Sequence, residues 1–262
     1  MDLKLAGKTA LVSGSTKGIG LAIAMRLAGE GARVIVNGRS EASLAKALAE
    51  IRAAVPQARL EGFAGDLSLA ETAVTLVKRF PTIDILINNL GIFEPKPFEE
   101  IPDDDWRRFF DVNVLSGVRL SRLYLPGMKE RNWGRIIFIS SESGVQIPVE
   151  MVHYGMTKTA QLAVARGLAE SCAGTGVTVN SVLPGPTRSA GVDEFVAQLS
   201  GGKPFEEFEH KFFEKVRPSS LIKRFATTDE VATTVTYLCS PLASATTGAA
   251  VRVDGGVIRS CV

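Results

Sequence analysis

Tyr154 and Lys158 have the residue types and the spacing needed to move a proton to or from an oxygen atom. They lie four residues apart at the start of a helical pattern, and four residues make about one helical turn. Both side chains therefore project from one face of the helix. A neighbouring ammonium group favours phenolate over phenol and lowers a tyrosine pKa that is ordinarily ~10. Such a tyrosine can protonate a forming alkoxide or deprotonate an alcohol.

A glycine-rich segment predicts a second chemical feature, a phosphate-binding loop. Residues 13–20, SGSTKGIG, follow a short apolar run and open a helical pattern. Glycine permits unusual dihedral angles and lets a phosphate approach the main chain closely. The following helix N-terminus offers free N–H groups and a partial positive charge to a pyrophosphate. Its position between a strand and a helix makes this segment a predicted nucleotide site.

The elements that must position these residues alternate along the chain. Short apolar runs predict strands that are covered on both faces: Thr9–Ser13, Val34–Val36, Arg59–Phe63, Ile83–Ile87, Ile136–Ser140, Val177–Val182 and Ala250–Val253. Periodic segments between them predict helices: Ile19–Gly29, Glu41–Ala54, Leu69–Arg79, Asp104–Glu130, Val152–Ala173 and Asp229–Cys239. Asp103 and Thr228 are expected to cap the fourth and the last helix. The pattern predicts an α/β fold, a single-domain Rossmann-type doubly wound parallel sheet of about seven strands with helices on both faces, spanning residues 1–262.

Residues 188–220 interrupt this alternation. The stretch contains the flexible segment Ser200-Gly201-Gly202 and five phenylalanines, Phe195, Phe205, Phe208, Phe212 and Phe213. A long insertion of this kind is typical of a lid over a binding site. We therefore expect a substrate lid within residues 188–220.

The glycine segment has the spacing GxxxGxG and resembles that of the classical short-chain dehydrogenase/reductase family, in its 3-oxoacyl-reductase-like branch. The resemblance covers nearly the whole chain. It is carried by Asp66 after the third strand, the segment NNLG at 88–91 (NNAG in the family), the segment PGPT at 184–187 and the segment VDGG at 253–256. It implies a cofactor-binding set of Gly14, Ser15, Thr16, Lys17, Gly18, Ile19, Gly20, Arg39, Asp66, Leu67, Asn89, Gly91, Tyr154, Lys158, Pro184, Gly185 and Thr187.

The same resemblance implies four catalytic residues, Asn113, Ser141, Tyr154 and Lys158. Ser141 lies 13 residues before Tyr154, which is the usual family spacing, and is expected to hydrogen bond the substrate carbonyl. Ser140 should point to the other side of its strand and support the core or the backbone. Asn113 is expected to hold a water that links Lys158 to solvent. Tyr154 would be the proton donor and Lys158 would lower its pKa and contact the nicotinamide ribose.

The segment after the second strand, VNGRS, predicts the type of nicotinamide cofactor. Enzymes of this fold that use NAD usually have an acid here that binds the ribose hydroxyls, and none is present. Arg39 can pair with a 2′-phosphate, because guanidinium matches phosphate in geometry and charge. By resemblance, Lys17 adds a second base of the kind found in members that prefer NADP. The alternative is that both residues are solvated surface cations, and the missing acid favours the cofactor interpretation. We expect NADP(H), with NAD(H) as the alternative.

The composition excludes several functional classes. A net charge of +2 with interspersed bases and acids does not predict nucleic-acid binding. Three distant cysteines and only two histidines predict reduced thiols and no metal site. No apolar stretch reaches the ~20 residues of a membrane span, and the first residues lack the apolar run of a signal peptide. We expect a cytoplasmic protein with no membrane partner, and the resemblance implies a homotetramer.

The residues around the site leave the substrate open. Glu142 and His153 add polar character without a defined role, and a ketone, an aldehyde, a sugar or a cyclic carbonyl fits equally well. A 3-oxoacyl reductase that depends on acyl carrier protein would need basic docking residues, for which Arg131 is a candidate. An NAD-dependent alcohol dehydrogenase working in the oxidative direction, a non-catalytic nucleotide-sensing protein and a nucleotide-sugar epimerase also remain open. The main prediction is an NADPH-dependent enzyme that reduces a small-molecule carbonyl to an alcohol.

Overall fold

Seven strands form one parallel sheet in the computed structural model, which describes residues 1–189 and 205–261. They are β1 (Thr9–Val12), β2 (Arg33–Gly38), β3 (Arg59–Ala64), β4 (Ile85–Asn88), β5 (Gly134–Ile139), β6 (Val177–Pro184) and β9 (Ala250–Val253). Their order is β3-β2-β1-β4-β5-β6-β9, and every neighbouring pair is parallel. Two short strands, β7 (Thr187–Arg188) and β8 (Ala226–Thr227), pair separately. The predicted Rossmann-type sheet is confirmed, with each predicted strand end within two residues of the observed one.

Helices cover both faces of this sheet. They are α1 (Gly18–Gly29), α2 (Glu41–Ala54), α3 (Ala70–Arg79), α4 (Asp103–Phe110), α5 (Ser116–Glu130), α6 (Val152–Ser171), α7 (Phe205–Lys215) and α8 (Thr228–Cys239). The side chains of successive strand residues pack into the cores on opposite faces of the sheet, because strand side chains alternate between faces. Ile137 and Ile139 join a cluster that includes α1, α2 and α8, whereas Ile136 and Phe138 join one that includes α3, α5 and α6.

The predicted continuous helix over Asp104–Glu130 is wrong. A π-helical turn at Asp111–Leu115 separates α4 from α5. Residues 111–115 contain no glycine or proline, so the local sequence pattern does not predict the break. Asn113 lies inside this turn and its side chain forms hydrogen bonds with Ile92 and Thr157, and such turns often mark functional sites.

Both predicted helix caps are displaced by one residue. Asp103 is the first residue of α4, and Pro102 precedes it as an N-cap without a side-chain hydrogen bond. Thr227, not Thr228, caps α8, because its hydroxyl and the Glu230 carboxylate bond reciprocally to backbone N–H groups. The spacing of Thr227 and Glu230 is that of a capping box, a signal already present in the sequence.

The described part of the predicted lid comprises residues 188–189, α7 and residues 216–220. The aromatic rings of α7 surround Phe225, with centroids 5.0 to 6.4 Å away. Phe195 and the Ser200–Gly202 segment lie outside the described residues. The lid therefore stays a prediction.

Neither a membrane helix nor a metal-binding cluster is found among the described residues. Across residues 1–189 and 205–261, no helix has the length and apolar character needed to cross a membrane. The same residues contain no group of three or more histidine, cysteine or acidic side chains arranged to hold a metal ion.

Candidate active site

A cleft of about 590 Å³ opens at the carboxyl ends of the central strands. The chain runs outward in opposite directions from β1 and β4, so the cleft lies at the point where strand order reverses, the usual ligand position in such sheets. It is lined by every predicted cofactor residue except Ser15: Gly14, Thr16, Lys17, Gly18, Ile19, Gly20, Arg39, Asp66, Leu67, Asn89, Gly91, Tyr154, Lys158, Pro184, Gly185 and Thr187. The fold thus brings together residues spread over most of the sequence.

The glycine-rich loop needs its glycines for two different reasons. Gly14 has φ +61°, a conformation that side chains rarely adopt. At Gly20 a Cβ atom would lie 2.4 Å from Nδ2 of Asn89 and 2.6 Å from the carbonyl oxygen of Gly14. The start of α1 is therefore packed directly against the loop that follows β4, and its N-terminal N–H groups face the cleft.

Ser15 has a structural position in this loop. It is completely buried, its hydroxyl donates to the Val12 carbonyl at 2.7 Å, and it accepts from the Asn37 N–H at 2.9 Å. Its side chain fixes the loop to β2 and does not line the cleft.

Two residues that the sequence analysis did not select hold the loops of the cleft together. The Asn37 side-chain carbonyl oxygen accepts from the Gly14 N–H, and its NH₂ group donates to the carbonyls of Phe63 and Gly65. The Ser13 hydroxyl accepts from the N–H groups of Asn89 and Leu90. Both residues lie at or next to the carboxyl end of a predicted strand, beside the glycine loop. That position in the sequence could have identified them as residues of the site.

Two cations line the cleft beside the glycine-rich loop and the end of β2. Lys17 is the N-cap residue of α1, Arg39 follows β2, and both side chains are exposed at the cleft. Within the described residues, no ion pair engages Arg39. The cleft therefore combines the N-terminus of α1, exposed cations and a glycine-rich loop, which fits a phosphate-rich dinucleotide. Tyr154 and Lys158 line the same cleft, together with Ser141 and Thr187.

The predicted proton-transfer residues meet between β5 and α6. Nζ of Lys158 lies 5.5 Å from the ring centroid of Tyr154 and donates to the Ile139 carbonyl at 2.9 Å. Ser140 and Ser141 both line the cleft, but their hydroxyls differ: that of Ser140 donates to the Lys158 carbonyl, whereas that of Ser141 is hydrogen bonded with Tyr154. The geometry places one hydroxyl beside the tyrosine and one under the helix.

Burial dominates the protonation of this pair. Burial raises the pKa of Tyr154 to about 12, against the opposing effects of a hydrogen bond with Ser141 and the charge of Arg217. Burial also lowers the pKa of Lys158 to about 7. The expected lowering of the Tyr154 pKa by Lys158 is not found in this structure, where desolvation of the phenolate dominates and the groups that oppose it are Ser141 and Arg217. At neutral pH Tyr154 carries its proton.

Asn113 does not line the cleft but lies behind it. Its Oδ1 accepts from the Ile92 N–H at 2.8 Å, and its Nδ2 donates to the Ile92 carbonyl and to Oγ1 of Thr157 at 3.0 Å each. Its own carbonyl accepts from Nε2 of Gln161 at 2.6 Å. The side chain thus ties the π turn to the loop after β4 and to α6, while the expected water link stays a prediction.

A second cavity of about 180 Å³ adjoins Ser141 and Tyr154 on the side away from the glycine loop. Its walls are mainly apolar and include Phe93, Met151, Phe208, Phe212 and Phe225. Glu142 and Arg217 also line it and form a buried ion pair of 2.9 Å. Burial raises the pKa of Glu142 although Arg217 opposes the shift, and Oε2 of Glu142 has no hydrogen-bond partner among the described residues.

His153 lies outside both cavities. It is fully buried, its ring centroid is 4.0 Å from that of Phe109, and neither nitrogen has a hydrogen-bond partner in the described part of the chain. Burial lowers its pKa. His153 is therefore a neutral packing residue beneath the site and does not face the pocket.

Known proteins match this arrangement along the whole chain. A family model described as enoyl-(acyl carrier protein) reductase matches residues 14–258. The uncharacterized oxidoreductase YvaG of Bacillus subtilis is 50% identical over 262 residues, which cover 99% of each chain. The chain belongs to the classical short-chain dehydrogenase/reductase family.

Two further comparisons place the chain within this family. The 3-oxoacyl-[acyl-carrier-protein] reductase of Aquifex aeolicus is 36% identical over 262 residues, covering 98% of this chain and 100% of the relative. The crystal structure of L-sorbose reductase from Gluconobacter frateurii, complexed with NADPH and L-sorbose, has a TM-score of 0.92 at 29% identity and covers 99% of this chain and 100% of that one. This short-chain dehydrogenase/reductase is thus an oxidoreductase by family, with relatives that act on different carbonyl compounds.

Proposed function

We propose that the protein is an NADP(H)-dependent oxidoreductase that reduces a ketone or an aldehyde to an alcohol, with Tyr154 as proton donor. The observation that carries this proposal is the junction of the two cavities at Tyr154 and Ser141. A carbonyl in the smaller cavity would face the nicotinamide end of the larger one. NADPH, when bound, supplies the hydride for the carbonyl carbon.

The protein groups at this junction have complementary tasks. Tyr154 gives its hydroxyl proton to the carbonyl oxygen as charge develops there, and Ser141 donates a hydrogen bond that orients the same oxygen. A phenol that is protonated at neutral pH suits the direction of reduction. Lys158 supplies positive charge beneath the ring and stabilises the phenolate that remains.

Preference for NADP(H) is supported by charge at the other end of the cleft. Arg39 and Lys17 offer two cations, and the segment 36–40 at the end of β2 contains no carboxylate to bind free ribose hydroxyls. The structurally similar L-sorbose reductase was solved with NADPH. We therefore expect a 2′-phosphate to be bound between these two side chains.

The smaller cavity favours an uncharged substrate with an apolar body. Glu142 and Arg217 are the charged residues among its described lining, and they neutralise each other. An anionic substrate would therefore find no free cation among these described residues. Transfer from an acyl carrier protein is not supported by Arg131, which bonds to the Ile83 carbonyl at the amino end of β4, at the sheet edge opposite the site.

A binding and turnover experiment tests the proposal. Tryptophan fluorescence and thermal shift are measured with NADPH and NADH, and a panel of neutral ketones, aldehydes and sugars is then screened for NADPH oxidation, with 3-oxo acids as the charged comparison. NADPH stabilisation and turnover of neutral carbonyls are expected. Preference for NADH would contradict the cofactor assignment, and tight cofactor binding without any turnover would favour a nucleotide-sensing protein. The homotetramer and the cytoplasmic location stay predictions, and a monomer mass in light scattering would contradict the first.

A further inference from the structure

Gln161 connects the two polar residues that lie behind the tyrosine. It stands on α6 three residues after Lys158, and its side chain is 1% exposed. Its Oε1 accepts from Nζ of Lys158 at 3.3 Å, and its Nε2 donates to the Asn113 carbonyl at 2.6 Å. A buried amide with both ends engaged in this way is a fixed part of the network.

The chemistry of its neighbours determines how this amide is oriented. The Asn113 carbonyl can only accept a hydrogen bond, so the NH₂ end of Gln161 must face it. The carbonyl end of Gln161 must then face Lys158, where it accepts a proton of the ammonium group. Lys158 consequently has two protein acceptors among the described residues, the Gln161 side chain and the Ile139 carbonyl.

The far end of this connection is rigidly held. Asn113 lies in the π turn between α4 and α5, and its side chain is bonded to the main chain of Ile92 and to Thr157. The loop after β4 carries Ile92 and borders the cleft. Gln161 thus couples the position of Lys158 to a turn that itself fixes one wall of the cofactor cleft.

The neutral hydrogen-bond acceptors of Lys158 matter because, within the described structure, no carboxylate compensates its positive charge. Burial is the cause of the lowered pKa of Lys158, without an opposing acidic partner. The charged groups that act on Tyr154 from other elements are Glu142 after β5 and Arg217 after α7, and their effects on the Tyr154 pKa oppose each other. The hydrogen bonds of Lys158 therefore set how much positive charge lies beneath the tyrosine ring.

We propose that Gln161 is a positioning residue, which holds Nζ of Lys158 beneath Tyr154 and favours its charged form, using the Asn113 carbonyl as its anchor. The inference rests on the proposed function for its catalytic meaning. It assigns the link between Asn113 and Lys158 to a side chain of this protein. It also explains why a polar residue is buried at a position where α6 packs against the π turn.

The direct test is the titration of Lys158 in the full-length protein. Lysine labelled with ¹³C at Cε is followed by NMR in wild type and in Gln161→Met, and the Lys158 signal is assigned by its loss in Lys158→Met. Methionine is similar in length and lacks the acceptor, so the titration midpoint should fall by about 0.5 to 1 pH unit. Val164→Ala on the same helix, which removes core packing against the cluster that includes α3, α5 and α6, should lower thermal stability without moving the midpoint. An unchanged midpoint in Gln161→Met would overturn the proposal.

Steady-state kinetics separates this inference from the proposed function. With a neutral carbonyl that the wild type reduces, Gln161→Met should move the alkaline limb of the pH–rate profile to lower pH, because Lys158 then loses its proton at a lower pH and no longer stabilises the phenolate of Tyr154. kcat at neutral pH should fall about 3- to 10-fold, with NADPH affinity within about twofold. A uniform loss of kcat at every pH would show a merely structural role and contradict the inference. If wild type reduces no carbonyl, the proposed function fails. The NMR titration still tests whether Gln161 positions Lys158 and favours its charged form.

Discussion

The two ends of the active-site cleft are built in different ways. The nucleotide end consists of main chain, glycines and exposed cations at the first turns after β1 and β2. The catalytic end consists of buried polar side chains from the π turn, β5, α6 and the segment after α7. Main-chain groups hold a ligand in a fixed geometry without the burial of a charged group. Buried side chains, by contrast, have pKa values that their surroundings can shift. In the proposed function, this difference separates cofactor binding from chemistry along one sheet edge.

Removing the Tyr154 hydroxyl should have the largest effect and should be confined to the catalytic end. Tyr154→Phe is expected to lower kcat by about 10²- to 10⁴-fold, the usual contribution of a positioned proton donor. NADPH affinity should stay within about threefold, because the nucleotide end is unchanged. Stopped-flow turnover and fluorescence titration measure the two quantities. A variant that keeps most of its rate would remove Tyr154 from the mechanism.

Breaking the buried ion pair of Glu142 and Arg217 should both lower the stability of the protein and weaken substrate binding. Arg217→Met leaves Glu142 desolvated without its partner, and the expected loss in unfolding free energy is about 3 to 5 kcal/mol. The exposed pair of Arg107 and Asp104 supplies the control, because Arg107→Met should cost less than about 1 kcal/mol. Urea unfolding measures both variants.

The pH dependence of Arg217→Met has a defined sign. The pKa of Glu142 is already raised by burial, and removal of Arg217 raises it further. The folded state then binds more protons than the unfolded state above the ordinary carboxyl pKa, so the stability of the variant should fall as pH increases through neutrality. Adding Glu142→Gln should restore much of the loss. A stability deficit independent of pH would show that Glu142 is not the group left uncompensated.

Adding a methyl group at a glycine of the loop tests how far the nucleotide end of the cleft depends on close packing. Gly20→Ala places a Cβ atom 2.4 Å from Nδ2 of Asn89 and should cost about 1 to 3 kcal/mol of stability, with weaker NADPH binding. Gly29→Ala at the end of the same helix meets no atom within 4 Å and should be neutral or slightly stabilising. Thermal unfolding with and without NADPH compares the two. Equal behaviour of both variants would mean that α1 is not pressed against the loop after β4.

Removing one exposed cation should have the smallest effect and the highest selectivity. Arg39→Met is expected to weaken NADPH binding about tenfold through the loss of one charge-assisted contact, and to leave NADH binding nearly unchanged. Arg52→Met, which alters an exposed residue at the end of α2, is the matched control. Equal losses for both cofactors would show that Arg39 does not contact the 2′-phosphate.

The two ends also differ in how far they were predictable. The glycine segment, Arg39, Asp66 and Asn89 stand in short segments next to predicted strands, and the fold gathers them in one cleft. Tyr154 and Lys158 were predictable as a pair, because one helical turn relates them. The buried position of the Ser15 side chain could not be predicted, since its hydrogen bonds to Val12 and Asn37 depend on the neighbouring strand. The interrupted helix around Asn113 has no local signal at all.

The sequence by itself determined the alternation of strands and helices, the parallel sheet and the residues at the carboxyl ends of its strands, because these follow from local periodicity and turn chemistry. The tertiary structure alone decided the π turn, the Gln161 bridge and the pairing of Glu142 with Arg217. It also decided that Tyr154 has a raised pKa, against the expectation from its neighbouring lysine. Each of these depends on which groups from distant segments exclude water together, and desolvation is a property of the packed chain.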